Sequence, residues 1–176
     1  EVLLGKFAGS AAALAGALLV GFGASGAVIA RYGGLAHVGS YVVLVLFTLL
    51  LGLAHLALGF CISVVTRRAA TALGLALGCW LALVFLSDLG LMGTAMVLKL
   101  APGELLWASL ANPSQAFKLG VLRAMHGTID VLGPSGRYAA DVLGPRLVPV
   151  MAALLAAWIL VPMGVALRIF TRRGAV

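Results

Sequence analysis

Residues 40–98 read SYVVLVLFTLLLGLAHLALGFCISVVT, then Arg67–Arg68, then AATALGLALGCWLALVFLSDLGLMGTAMVL. Ser40 to Thr66 carries no formal charge unless His55 is protonated, and Ala69 to Leu98 carries only Asp88. Each run exceeds the roughly 20 apolar residues that cross a hydrocarbon core of about 30 Å at 1.5 Å per residue. A two-residue cationic hinge between such runs is the pattern of a helical hairpin with its turn in the cytoplasm, because Lys and Arg are retained on that side. The fold class this predicts is an all-α integral membrane protein, a polytopic helical bundle.

The rest of the composition agrees. Hydrophobic residues make up 63% of the chain and charged residues 10%, with a mean hydropathy of +1.17, far from a soluble domain. The 23 glycines suit membrane helices, where small residues let backbones approach. A net charge of +7 raises nucleic acid as a partner. The basic residues are scattered and cap apolar runs, with no basic face or stacking platform, so that partner is excluded. Cys61 and Cys79 both fall inside apolar runs and imply no disulfide framework.

Outward from the hairpin, Lys6 precedes the apolar run Phe7–Ala30. Gly5/Gly9, Ala12/Gly16 and Gly21/Ser25 are small-xxx-small pairs, which predict that this helix sits inside the bundle rather than against lipid. Arg31–Gly39 is a glycine-punctuated loop with Tyr32 placed for the interface. Ser87–Asp88 breaks the third run near its far end, with a shorter segment resuming over Leu89–Leu98. The least apolar part is Lys99–Arg146. Pro102 and Asn112–Pro113 read as helix starts, with Asn112 as N-cap and Gln115 three residues on. Phe117, Val121 and Met125 recur at i+4, predicting an amphipathic helix over Pro113–His126 that lies on the bilayer or docks a protein. Val-Leu-Gly-Pro occurs at Val131–Pro134 and again at Val142–Pro145, which reads as two similar turns. The final run, Leu147–Phe170, holds Pro149 and Pro162 and so predicts a kink.

The expectation is one transmembrane domain over 1–176. Its four spans lie at about 7–30, 40–66, 69–98 (broken near 87–88) and 147–170, with 99–146 as an extracytoplasmic segment. Short-loop counting puts Lys6, Arg67, Arg68, Arg168, Arg172 and Arg173 on the cytoplasmic side. The chain opens at Glu1 without an initiator methionine, which reads as the C-terminal part of a longer polypeptide.

Catalytic chemistry is not written here. Gly5-Lys6-Phe7 lacks the upstream glycine and the Ser/Thr of a phosphate loop, and neither Gly-x-Ser-x-Gly nor His-Glu-x-x-His occurs. Transport chemistry has three candidate groups. Asp88 is the one intramembrane carboxylate, or else a helix-end acid at the outer interface. His55 is a proton-handling group, or else a neutral histidine bonded to a neighbouring helix. Met92 and Met96, with Cys61 and Cys79, form a soft-ligand set that copper(I) could use, but methionines at helical spacing are more often packing, so no metal is predicted. An ion-coupled transporter using Asp88 and His55 and a scaffold that moves nothing are the alternatives to a pump. The first lacks the paired interrupted spans such transporters show.

Four stretches carry a resemblance. Glu1-Val2-Leu3-Leu4-Gly5-Lys6-Phe7 resembles the segment just after the cytoplasmic coupling region in type-2 ABC exporter permeases. The Thr66–Ala70 turn, Ala111–Lys118 and the Gly133-Pro134-Ser135-Gly136-Arg137-Tyr138 turn resemble the branch of that family serving maturation of the copper–sulfur site of nitrous-oxide reductase. The likeness implies the last four of six spans, with two N-terminal spans and most of the coupling helix lacking. It also implies a homodimer in the bacterial inner membrane. Each permease would be seated on a cytoplasmic ATPase that binds ATP and magnesium, the permease itself holding no cofactor. Glu1, Lys6, Arg67 and Arg68 would couple to that ATPase. Asn112, Pro113, Phe117, Val121, Pro134, Arg137 and Tyr138 would dock a periplasmic partner. Within the family, export of lipid, peptide or drug is the alternative.

Overall fold

The computed structural model describes residues 2–32, 38–66, 68–86, 101–125 and 133–172. All its regular structure is helical among these residues. Helix α1 is Val2–Tyr32, α2 is Val38–Thr66, and α3 is Ala69–Leu81, continued by a π turn at Ala82–Leu86. Then come α4 (Pro102–Leu110), α5 (Pro113–Ala124) and α6 (Gly133–Leu143), a 3-10 turn at Gly144–Arg146, and α7 (Leu147–Arg172). Among the described residues three stretches are long and apolar enough to cross a membrane: Val2–Tyr32, Val38–Thr66 and Gly136–Arg172, whose apolar part is α7. The third run of the sequence contributes a shorter apolar helix, Ala69–Phe85. Asp88, Met92 and Met96 lie outside the described residues, as do Glu1 and Arg67.

Helix α2 is the centre. It packs against α1, α3, α5 and α7, and its contact with α7 is the most extensive between helices of the described residues. Two clusters set the axis of the bundle. At one end Leu3 and Phe7 of α1, Ala57, Phe60 and Val64 of α2, and Met163, Ala166 and Phe170 of α7 come together. At the other end Phe47 of α2 meets Leu147, Met151 and Leu155 of α7, joined by Leu106, Leu110, Ala116, Leu119 and Ala139 from α4, α5 and α6. Helices α2 and α7 therefore run parallel, with α1 antiparallel to both. Lipid is as apolar as leucine, so what holds these helices is close van der Waals fit rather than removal of oil from water.

Glycines mark that fit, but not the ones the spacing suggested. A Cβ on Gly52 would lie 2.8 Å from Leu14 Cδ2, and one on Gly26 would lie 3.0 Å from the Tyr41 ring. Tyr41 hydroxyl donates to the Phe22 carbonyl at 2.6 Å, pinning α1 to α2 at that end; Phe7 and Phe60 meet edge to face at 5.6 Å at the other. Gly5, Gly9, Gly16 and Gly21 have nothing within 4 Å, and Ala12 and Ser25 are exposed. The expectation that the small-residue pairs bury α1 is thus corrected within this chain. One face of α1 is spent on α2, and the glycine stripe is on the open side.

Two further readings change. The stretch at Gly133–Tyr138 is helix, not turn: α6 begins at Gly133 with Pro134 second, a place where a missing N–H costs nothing. The later repeat, Gly144-Pro145-Arg146, does form a tight 3-10 turn, with Gly144 at φ +48°. Helix α5 is not a free amphipathic rod. Pro113, Ser114, Gln115, Ala116, Leu119, Gly120 and Val121 are all buried, because small residues let it wedge against α2 and α7. Of the stripe expected from the sequence Val121 is buried, Phe117 half-buried and Met125 exposed; the close approach comes from Gly120, where a Cβ would overlap the Phe47 ring. Helix α7 runs unbroken through Pro162, which is buried.

Candidate functional site: a basic end and a folded cap

The basic end is built on the first cluster. Leu3, Val64 and Phe170 lie side by side there, so Lys6, Arg68, Arg168 and Arg172 share one end, and all four are exposed. The corner between α2 and α3 is tight. Thr66 hydroxyl returns to the Ile62 carbonyl at 2.8 Å. Arg68 N–H donates to the Thr66 carbonyl at 2.7 Å, and the Arg68 carbonyl already accepts from Ala72 N–H at 2.9 Å. Arg68 is extended (φ −112°, ψ 121°) and acts as N-cap without a side-chain bond. Its guanidinium is therefore not used to close the helix.

At the opposite end α4, α5 and α6 form a cap over the bundle. Glu104 carboxylate accepts from Ala101 N–H at 3.1 Å, closing the start of α4. Tyr138 of α6 lies on Gly103 of α4, where a Cβ would be 3.3 Å from its hydroxyl. Asn112 is the N-cap of α5. Its Oδ1 accepts from Ser114 N–H at 2.8 Å, worth about 1 kcal/mol relative to alanine. Its Nδ2 donates to the Leu83 carbonyl, inside the π turn that ends α3. At the far end of α5 the Ser40 hydroxyl donates to the Ala124 carbonyl at 2.8 Å.

Of the residues proposed for partner docking, Asn112, Pro113 and Val121 are buried in the cap, and Phe117 is half-buried. They build the cap. Arg137 and Tyr138 are exposed, as are Val142 at 59%, in the second Val-Leu-Gly-Pro repeat, and Trp107 at 74%, which the sequence had not singled out. Their exposure depends on how α4 and α6 fold together, a relation without local signature. Pro134 lies in the first turn of α6.

His55 lies in the middle of α2. Its Nδ1 is 2.9 Å from the Leu51 carbonyl, one turn back on its own helix. A carbonyl only accepts, so Nδ1 carries the proton and Nε2 keeps a lone pair. Nε2 is buried with no hydrogen-bond partner among the described residues. His55 lines a cavity of about 70 Å³ between α2 and α3, with Leu58, Gly59, Cys79, Trp80 and Leu83. The other cysteine, Cys61, packs in the basic-end cluster. No group of three or more His, Cys, Asp or Glu residues suited to a metal occurs among the described residues.

The model of the ABC-2 family transporter proteins matches residues 1–175. The chain belongs to this family. It is similar to the probable ABC transporter permease protein NosY of Stutzerimonas stutzeri, at 32% identity over 98% of the chain and 64% of that protein. It is similar too to the protein of the same description from Pseudomonas aeruginosa, at 34% identity over 68% of the chain and 46% of that protein. The chain thus spans less than two thirds of the length of either relative. An ABC-2 family protein with several apolar helices is a multi-pass membrane protein, and its relatives are named as permease proteins.

Proposed function

We propose that the chain is the membrane part of a NosY-like permease subunit, with four spans here and the basic end in the cytoplasm of a bacterial inner membrane. Two copies pair, each on a cytoplasmic NosF-like ATPase that holds ATP and magnesium, and a periplasmic NosD-like protein meets the cap. The assembly supports maturation of the copper–sulfur site of nitrous-oxide reductase, and so denitrification. The likeness to NosY permeases along nearly the whole chain is the observation that carries this reading. The geometry supports it. Lys6, Arg68, Arg168 and Arg172 stand at one end without a described carboxylate among them, beside the short turn to which positive-inside counting gives weight, whereas the cations of the other end are mixed with Glu104 and Asp141. The folded cap, with exposed Trp107, Arg137 and Tyr138, is at the other.

In this reading Glu1, Lys6, Arg67 and Arg68 receive the motion of the ATPases, and α3 carries it. Arg137 and Tyr138 offer the docking surface, positioned by Asn112, Pro113, Pro134, Phe117 and Val121. The permease does no bond chemistry of its own. Affinity purification of the full-length protein from a denitrifying cell tests this, with identification of what accompanies it. The expected outcome is an ATPase and a periplasmic protein, together with inactive nitrous-oxide reductase in the deletion strain. A fully active reductase in that strain would remove the maturation role, and a preparation free of any ATPase would remove the ABC assembly.

A further inference from the structure

Helix α3 is held differently from its neighbours. Among the described residues its main contacts are with α2 and, through its π turn, with α5. Against α2 it packs incompletely, leaving the cavity of about 70 Å³ lined by His55, Gly59, Cys79 and Leu83. Its outer face is open, with Leu73, Leu77, Trp80 and Phe85 exposed. Its two ends are tied. One is the tight Arg68 corner. The other is the amide of Asn112, 4% exposed, donating to the Leu83 carbonyl. The same side chain holds α5 by its cap bond, and α5 is locked to the bundle by the Gly120–Phe47 contact and the Ser40–Ala124 bond. The π turn that continues α3 over Ala82–Leu86 is a local departure from the regular ladder, of a kind frequent at functional sites.

We infer that Asn112 is the positioning residue through which α3 moves the cap. Oδ1 fixes α5, Nδ2 grips the π turn, and the cavity beside α3 is the room into which the helix shifts. The inference rests on the reading of the basic end as the seat of an ATPase. It adds a specific relay, from the Arg68 corner through α3 to α4–α6.

The test uses the full-length protein in its assembly, with Cys61 and Cys79 replaced by alanine and spin labels at Leu77→Cys on α3 and Arg123→Cys on α5. Asn112→Ser keeps an N-cap of equal quality but is too short to reach Leu83. The expected result is a narrow label distance in the parent that ATP shifts as a single population. In Asn112→Ser it broadens to about twice its width, while maturation of the reductase falls by about tenfold, a typical coupling strength. Melting temperature stays within about 2 °C of the parent, since the cap bond survives. Gly59→Leu is the second variant, filling the cavity without touching the cap. It should keep the narrow distance, abolish the ATP-driven shift and lose maturation to a similar degree. An unchanged width in Asn112→Ser, or full maturation in either variant, overturns the relay. A parent whose label distance ignores ATP contradicts the ATPase reading instead, so the two failures are told apart.

Discussion

His55 shows how a single side chain is read differently in sequence and in space. A histidine in an apolar run invites a proton-transfer role. In the bundle its Nδ1 proton goes to Leu51 of its own helix rather than to a neighbouring helix, and Nε2 is left without a partner among the described residues. A buried acceptor without a donor costs roughly 1–3 kcal/mol. His55→Leu is therefore expected to leave stability unchanged or raise it by about 1 kcal/mol, measured by thermal unfolding in detergent. A loss above about 2 kcal/mol would show that Nε2 does find a donor in the working protein. Asn112 is the opposite case. Its role as N-cap was legible, since Asn-Pro at a helix start is a local signal, and the cap bond is present. Its second bond, to a carbonyl 29 residues upstream, has no local signal at all.

Elements defined by hydropathy were legible and elements defined by packing were not. The run read at 40–66 is a helix over Val38–Thr66, and that at 147–170 is a helix over Leu147–Arg172. Arg67–Arg68 separates two helices as expected, because a membrane run ends where charge begins. The stripe of small residues on α1 misleads. Spacing says which residues share a face, not which face meets a neighbour, and here Gly26 and Gly52 decide the contacts. Gly-Pro at 133–134 reads as a turn because both residues break helices internally; at a first turn they do not. The same logic gives a test at α5. Gly120→Ala would drive a Cβ into the Phe47 ring, which is only 3% exposed and cannot swing away. It is expected to destabilise by about 1–3 kcal/mol, as overpacking does, and Gly120→Ala with Phe47→Leu should recover at least about half of that loss. An unaltered melting temperature in Gly120→Ala would mean that α5 does not sit this close to α2.

The whole molecule reduces to a bundle around α2 with chemically different ends. One end collects Lys6, Arg68, Arg168 and Arg172. The other is closed by α4, α5 and α6 and carries mixed charge on its surface, Glu104 and Asp141 beside Arg31, Arg123, Arg137 and Arg146. This polarity is what a permease needs if force enters at one face of the membrane and is felt at the other. Charge counting in the sequence predicts which end faces the cytoplasm. It could not give the cap, whose three short helices cohere through Leu106, Leu110, Ala139 and Leu147, contacts between residues far apart in the chain. Labelling with a membrane-impermeant thiol reagent in intact cells measures the polarity directly, using a cysteine-free full-length background carrying Arg68→Cys or Arg137→Cys. Arg137→Cys is expected to react from outside, and Arg68→Cys only after the inner membrane is opened. Reaction of Arg68→Cys in intact cells, with Arg137→Cys protected, would contradict the account.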